Sequence, residues 1–280
     1  MQMNKTFKMA LSLVAASALF FGACKPKGNQ GPSEEDLMLD TATIDAQTKL
    51  GALSVNMPAL TEITKELSSA GYKFEKSVLN STGKASSYSN NMKAAIGVGV
   101  YGADMGYAAA YGQNQDVTEY LKAISTTGDK LGITKVFDQE TISRFQANVG
   151  KKDSLNGLIN GAFDQVDKYL RFNKRIGTSA VIAAGGWIEG LYIATQVVNT
   201  ERNDNTDKVY ARIWNHLYAF GYLFELLETC KKDPDCAKVF EDVKPLREIY
   251  VQYGKNSKIG KAELDAIREK VALVRNQMVN

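Results

Sequence analysis

The chain of 280 residues has one histidine, His216, three cysteines and five prolines. One histidine excludes zinc sites built on several imidazoles, a paired Glu-x-x-His di-iron site, and most chemistry that uses histidine as a proton shuttle. Charge of one sign is also missing: 34 Lys and Arg face 31 Asp and Glu, a formal +3 that drops to +1 without Lys5 and Lys8. A nucleic-acid binder needs a basic stripe to neutralise phosphates, so that class is set aside. No run of period two suggests a strand. With 44% apolar residues the chain is too hydrophobic to be intrinsically disordered.

What is present begins at the N-terminus. Met1 to Lys8 carries two lysines and no acid, and Met9 to Phe21 is an apolar run of 13 residues. That is the pattern of a secretory signal, and the run is too short for a stable bilayer span. Phe21-Gly22-Ala23-Cys24 resembles the bacterial lipobox, with Phe21 where leucine is preferred. The resemblance implies cleavage before Cys24 and acylation (palmitate) of its sulfur and amine. Several acyl chains anchor stably, since each buried methylene contributes about 0.8 kcal/mol. We therefore expect a signal peptide over 1–23, a polar Pro- and Gly-bearing tether over 24–36, and one domain over 37–280. Lys25, in place of an acid after Cys24, points to the outer membrane.

Cys230 and Cys236 form a close pair in an exported chain, and the simplest expectation is a structural disulfide. Asp233-Pro234 reads as an N-cap followed by proline at the first helical position, so the bridge would pin a helix–helix turn. A redox-active pair is the sharper alternative, although the spacing is not Cys-x-x-Cys and no parallel-sheet pattern surrounds it.

From Glu35 onward apolar residues recur at three and four. The pattern predicts helices near 34–55, 58–71, 84–112, 115–131, 138–149, 152–173, 176–198, 205–229, 235–253 and 261–279. Short connections make neighbours antiparallel, so the expected fold is an all-α, single bundle of eight to ten helices. Along the last helix Leu264, Ile267, Val271, Val274 and Met278 should face the core, with Glu263, Arg268, Lys270 and Arg275 outside. Two helices, Ala94 to Tyr111 and Ile176 to Val198, are apolar nearly all round and rich in glycine and alanine. Each carries one acid, which favours the dry centre of a soluble bundle over a membrane span. Gly102 with Gly106, and Gly186 with Gly190, are spaced to admit another backbone.

Asp104 and Glu189 are the two acids with apolar neighbours on both sides. A lone buried carboxylate is costly, so each must be paired, hydrogen-bonded or protonated. Tyr101, Tyr107, Tyr111 and Tyr192 are candidate partners, and above all Arg212 and His216, four apart on one helix face. One reading is a pocket in which two carboxyls do acid–base work; the other is an internal network that fixes helix register. His216 beside Trp214 and Tyr218 reads as a satisfied core histidine. Asn203-x-Asn205-x-Asp207 fails as a calcium loop, with Lys208 where glycine and Trp214 where glutamate belong. Gly97-x-Gly99-x-x-Gly102 follows no strand and reads as helix packing. No metal or cofactor is expected. Trp214, Tyr218, Phe220, Tyr222 and Phe224 should be mostly core, and any exposed part of that stretch a contact patch.

Gly99-Val-Tyr-Gly-Ala-Asp-Met-Gly-Tyr107 and Gly185-Gly-Trp-Ile-Glu-Gly-Leu-Tyr192, behind a lipobox, resemble segments of uncharacterised all-helical lipoproteins of the Bacteroidota. The resemblance implies a compartment and a helical fold, and no activity. Asp40-Thr41-Ala42 and Asp153-Ser154-Leu155 are similar to the O-glycosylation motif of exported proteins in that phylum, with Thr41 the stronger candidate. The function expected is a membrane-anchored binding or scaffolding component of the cell envelope, without catalysis and with an envelope protein as partner. The alternative is a small-molecule or lipid-binding lipoprotein with a pocket near Asp104 and Glu189; an envelope hydrolase comes third.

Overall fold

The computed structural model describes residues 61–198, 204–253 and 259–280, together with 48, 51 and 52. The expected signal peptide, tether, Cys24, Thr41 and most of the 34–55 helix lie outside the described residues. Leu39–Asn280 forms one unit. Among the described residues there is no strand, and the helices are α1 (Glu62–Ser69), α2 (Asn91–Ala110), α3 (Asn114–Lys130), α4 (Gln139–Asn148), α5 (Lys152–Phe172), α6 (Ile176–Val197), α7 (Asp204–Thr229), α8 (Pro234–Tyr253) and α9 (Lys261–Val279). The fold is an all-α bundle, as the periodicity predicts.

The centre is the pair α2 and α6, which pack together more extensively than any other two elements. α2 is buried without a break from Ala94 to Ala110. The approach is a backbone contact made possible by glycine. A methyl on Gly185 would lie 2.6 Å from the Ile96 carbonyl oxygen, and one on Gly99 would overlap the Ile182 carbonyl. Of the expected pairs, Gly186 shares in this contact, its amide nitrogen 2.6 Å from a methyl built on Gly99, while Gly102 and Gly190 face other neighbours. Gly102 instead receives the Phe163 ring from α5, and Gly190 lies 3.6 Å from His216 Cε1 when given a methyl. The Gly97-x-Gly99-x-x-Gly102 run is thus three separate packing notches, the first filled by the Tyr88 ring. α6 is long and apolar enough to cross a membrane, yet 83% of its apolar window is buried inside the fold. The core it occupies accounts for its composition.

The remaining helices wrap this pair. α3 returns along α2 after a tight turn at Gly112, whose φ of 70° suits glycine. α7, α8 and α9 pack on α6, with α1 between α6 and α7. Guanidinium groups close helix ends: Arg175 Nη1 donates to the Leu131 carbonyl at 2.6 Å. Arg268 donates to the carbonyls of Thr195 at 2.6 Å and Val198 at 2.8 Å, at the end of α6.

The expected 84–112 helix is shorter than its pattern. Asn90 caps α2, its side-chain oxygen accepting the Lys93 amide at 2.8 Å. Upstream, 72–90 is a loop with 3-10 turns at Lys76–Val78 and Thr82–Lys84. Ser87 Oγ donates to the Lys84 carbonyl at 2.8 Å, a local bond that competes with helix, and three carbonyls of the loop, Ala85, Ser86 and Tyr88, accept from Lys130 Nζ at 3.5, 2.9 and 2.6 Å.

Candidate functional site

α2 brings Asp104 and α6 brings Glu189 into the middle of the bundle, where neither has any exposed surface. Glu189 is held by α9: Arg275 Nε donates to Oε2 at 2.9 Å and Nη2 to Oε1 at 2.8 Å, a two-pronged buried ion pair. The guanidinium also lies over the Tyr192 ring, 4.6 Å from its centroid. Burial raises the Glu189 carboxyl above its ordinary value and Arg275 pulls it only part of the way back, while the pair raises Arg275 above its usual value. Arg275 was expected on the outer face of the last helix; it is only 9% exposed. The reason is register. Arg275 follows Val271 by four residues and Val274 by one, so it borders the apolar stripe and turns inward to meet an uncompensated acid.

Asp104 has a different environment. Its Oδ2 accepts the Asn80 amide at 3.2 Å, and Oδ1 meets no donor. Burial first, and the Glu189 charge second, hold this carboxyl well above the carboxylate range. That favours the protonated form of Asp104, and the two carboxyls and the one guanidinium titrate as a linked set.

A collar of polar groups seals it. Asn80 Nδ2 donates to the Tyr88 hydroxyl at 2.9 Å, and the Tyr120 hydroxyl donates to the Asn80 carbonyl at 3.0 Å. The Tyr101 hydroxyl donates to Ser81 O at 3.0 Å. Burial pushes the phenols of Tyr88, Tyr101 and Tyr120 upward, so they stay protonated donors. The sequence reading missed Asn80, Tyr88, Tyr120 and Arg275; for Asn80 no local signal exists, since its role depends on the loop it pins.

The other expected partners sit elsewhere. Tyr107 accepts the Glu75 amide at 3.0 Å and stacks on Phe74, 5.2 Å between centroids. Arg212 pairs with Glu62 of α1 at 2.7 Å, with both side chains about one-third exposed. It misses the acids because its helix face turns toward α1. His216 is buried; its Nε2 is 2.8 Å from the Trp187 carbonyl and its ring stacks on Trp187 at 4.8 Å. Burial pulls its pKa down to about 4, so the imidazole is neutral. Of the named tyrosines, Tyr192 reaches the cluster through Arg275 and Tyr101 belongs to its collar.

Cys230 and Cys236, the pair expected to bridge, lie on either side of the turn between α7 and α8. Both are buried thiols, with the Cys236 sulfur 3.5 Å from the Leu227 carbonyl it donates to. Among the described residues no three His, Cys, Asp or Glu side chains converge on a metal position. Surface cavities of about 390, 530 and 280 Å³ are lined by other residues, none of them Asp104 or Glu189. Among the described residues no cavity reaches the acids, and the cluster ties α2, α6, α9 and the 72–90 loop together. Compared with known protein families, curated proteins and solved structures, the chain matches none.

Proposed function

We propose that the protein is a lipid-anchored helical lipoprotein of the bacterial outer membrane, acting without catalysis as a binding or scaffolding component of the envelope. The anchor is acylated Cys24, and the partner is another envelope protein. The observation that carries the binding role is the outward face of α7. Ile213 to Phe224 holds no Asp, Glu, Lys or Arg. Within it Tyr218 is 52% and Tyr222 36% exposed, with Trp214 half-buried beside Tyr218. Surface helices ordinarily carry charge on that side. Charge depletion with aromatic enrichment marks the core of a protein–protein contact, and charged Lys208 and Glu228 at either end supply a polar rim. The sealed acids support the same reading, because a rigid body presents such a face at low entropic cost.

Purification from detergent-solubilised membranes tests this. A partner retained by the wild type is expected to be lost from a Tyr218→Ser, Tyr222→Ser double variant and kept by Phe172→Ser, which changes a lone exposed ring elsewhere. Retention by the double variant would overturn the assignment of the face. Cys24→Ala is expected to lose the acyl mass and membrane partitioning together; a variant that still partitions with membranes removes the anchor.

A further inference from the structure

The turn between α7 and α8 holds its two cysteines in a fixed relation. Cys230 ends α7, its amide bonded to the Leu226 carbonyl at 3.0 Å, and its own carbonyl accepts the Asp233 amide at 2.9 Å. Cys236 lies in the first turn of α8, its amide bonded to Asp233 Oδ1 at 3.1 Å. The same oxygen accepts the Asp235 amide at 2.9 Å. The turn is backed by the start of α6, where a methyl on Gly177 would come within 2.6 Å of Asp233 Oδ2. Asp233 links the two residues by itself, its amide donating to the Cys230 carbonyl and its carboxylate accepting the Cys236 amide, so both thiols belong to one short turn. Both are buried, and the Cys236 sulfur donates to the Leu227 carbonyl at 3.5 Å, so the reduced pair leaves no hole.

We infer that Cys230 and Cys236 are a reversible dithiol–disulfide site that exchanges with low-molecular-weight disulfides, with Cys230 as the attacking sulfur. Cys236 has no exposed surface and Cys230 has 8%, so an incoming disulfide reaches Cys230 first. Cys230 loses its proton to solvent and its thiolate attacks one sulfur of the small disulfide, expelling one thiolate. Cys236, deprotonated in turn, attacks the Cys230 sulfur of the mixed disulfide and expels the second. The protein gives up two electrons and two protons; the small disulfide takes them as two thiols. The neighbouring Cys236 side chain draws the Cys230 thiol below its ordinary value, and Cys230 together with burial pushes Cys236 up, which agrees with the order of attack that exposure sets. This inference stands apart from the docking face on α7 and from the acyl anchor.

The test uses the full chain with Cys24→Ser, so that Cys230 and Cys236 are its only thiols. The reduced protein is incubated with oxidised glutathione and followed by intact mass and by alkylation of the folded and the denatured protein. The expected product has lost two hydrogens and both alkylatable thiols. Closing so short a loop should raise the folded-to-unfolded ratio about 50-fold, read as a higher melting temperature that reducing agent reverses. Cys236→Ser should stop at a glutathione adduct on Cys230, and Cys230→Ser should leave Cys236 unmodified while folded. The inference is overturned if both thiols persist in excess oxidised glutathione. It is equally overturned if folded Cys230→Ser is modified at Cys236 as fast as the wild-type pair reacts.

Discussion

Replacing Arg275 by methionine should be among the most damaging single changes in the molecule. The side chain makes two hydrogen bonds to a carboxylate that has no exposed surface. Methionine fills similar volume, so the loss is electrostatic more than steric. Breaking a buried pair by removing one member costs about 3–5 kcal/mol, because the other charge stays buried without compensation. For a domain of this size about 2–4 °C of melting temperature follows each kcal/mol. The expected drop is therefore about 6–20 °C, measured by calorimetry and cross-checked by urea unfolding. Glu189→Gln with Arg275→Met should recover much of that loss, since no lone charge remains, and the double-mutant cycle should give strongly positive coupling. Lys244→Met, which breaks the solvent-exposed pair with Glu241, sets the scale at under about 1 kcal/mol. An Arg275→Met loss no larger than that of Lys244→Met, or a double variant no better than the single one, would refute the reasoning.

The acid cluster should also show in pH dependence. Asp104 holds its proton in the folded state and releases it when unfolded near the ordinary carboxylate value, so stability falls as pH rises above about 4 toward its raised folded value. Urea midpoints measured from pH 5 to 9 should decline with pH in the wild type and flatten in Asp104→Asn; an unchanged slope would place the proton elsewhere. His216 has the opposite sign: its folded pKa of about 4 lies below the unfolded value of 6.5, so its contribution is complete above that pH and is lost on acidification toward 4. The lost increment is about 3 kcal/mol, and His216→Gln should remove that part of the acid limb. Gly99→Ala should destabilise by several-fold more than an ordinary surface change, because the methyl meets backbone with nowhere to go. Gly157→Ala in α5 has open space and should instead stabilise by about 0.5–1 kcal/mol; circular-dichroism melts of the two would separate packing from propensity.

The helices were legible because their apolar residues repeat at a period that burial enforces, and α2 and α6 stood out because only central helices can dispense with a polar face. Their acids were legible for the same reason. Which cation answered them was not. Periodicity placed Arg275 at the edge of a stripe, and its direction depended on a carboxylate 86 residues away in sequence. Arg212 and His216 looked equivalent or better by local spacing, yet α7 turns those faces to Glu62 and to the Trp187 carbonyl. On α2 the glycine contact was misplaced by about one helical turn: Gly99 meets the α6 backbone at Gly185 and Gly186, while Gly102 receives an aromatic ring from α5. Small-residue spacing says that a close approach exists, and tertiary packing chooses the partner.

The arrangement of the acids bears on why a bundle of this kind carries a polar centre at all. A hydrophobic replacement of the same volume would be as stable or more so, so stability alone does not explain the cluster. Its partners come from α2, α6, α9 and the loop at Asn80, segments joined only through the tertiary fold. A slip of α9 along its axis by one turn would leave the buried Glu189 without its guanidinium partner. A displaced 72–90 loop would strip Asp104 of its one amide donor. Aliphatic packing penalises such shifts by graded losses of contact, whereas the cluster penalises them by exposing a charge to a dry interior. The polar centre thus selects one register among several that apolar packing alone would tolerate, and it does so for α6, the helix on which α7 and its uncharged aromatic face are mounted.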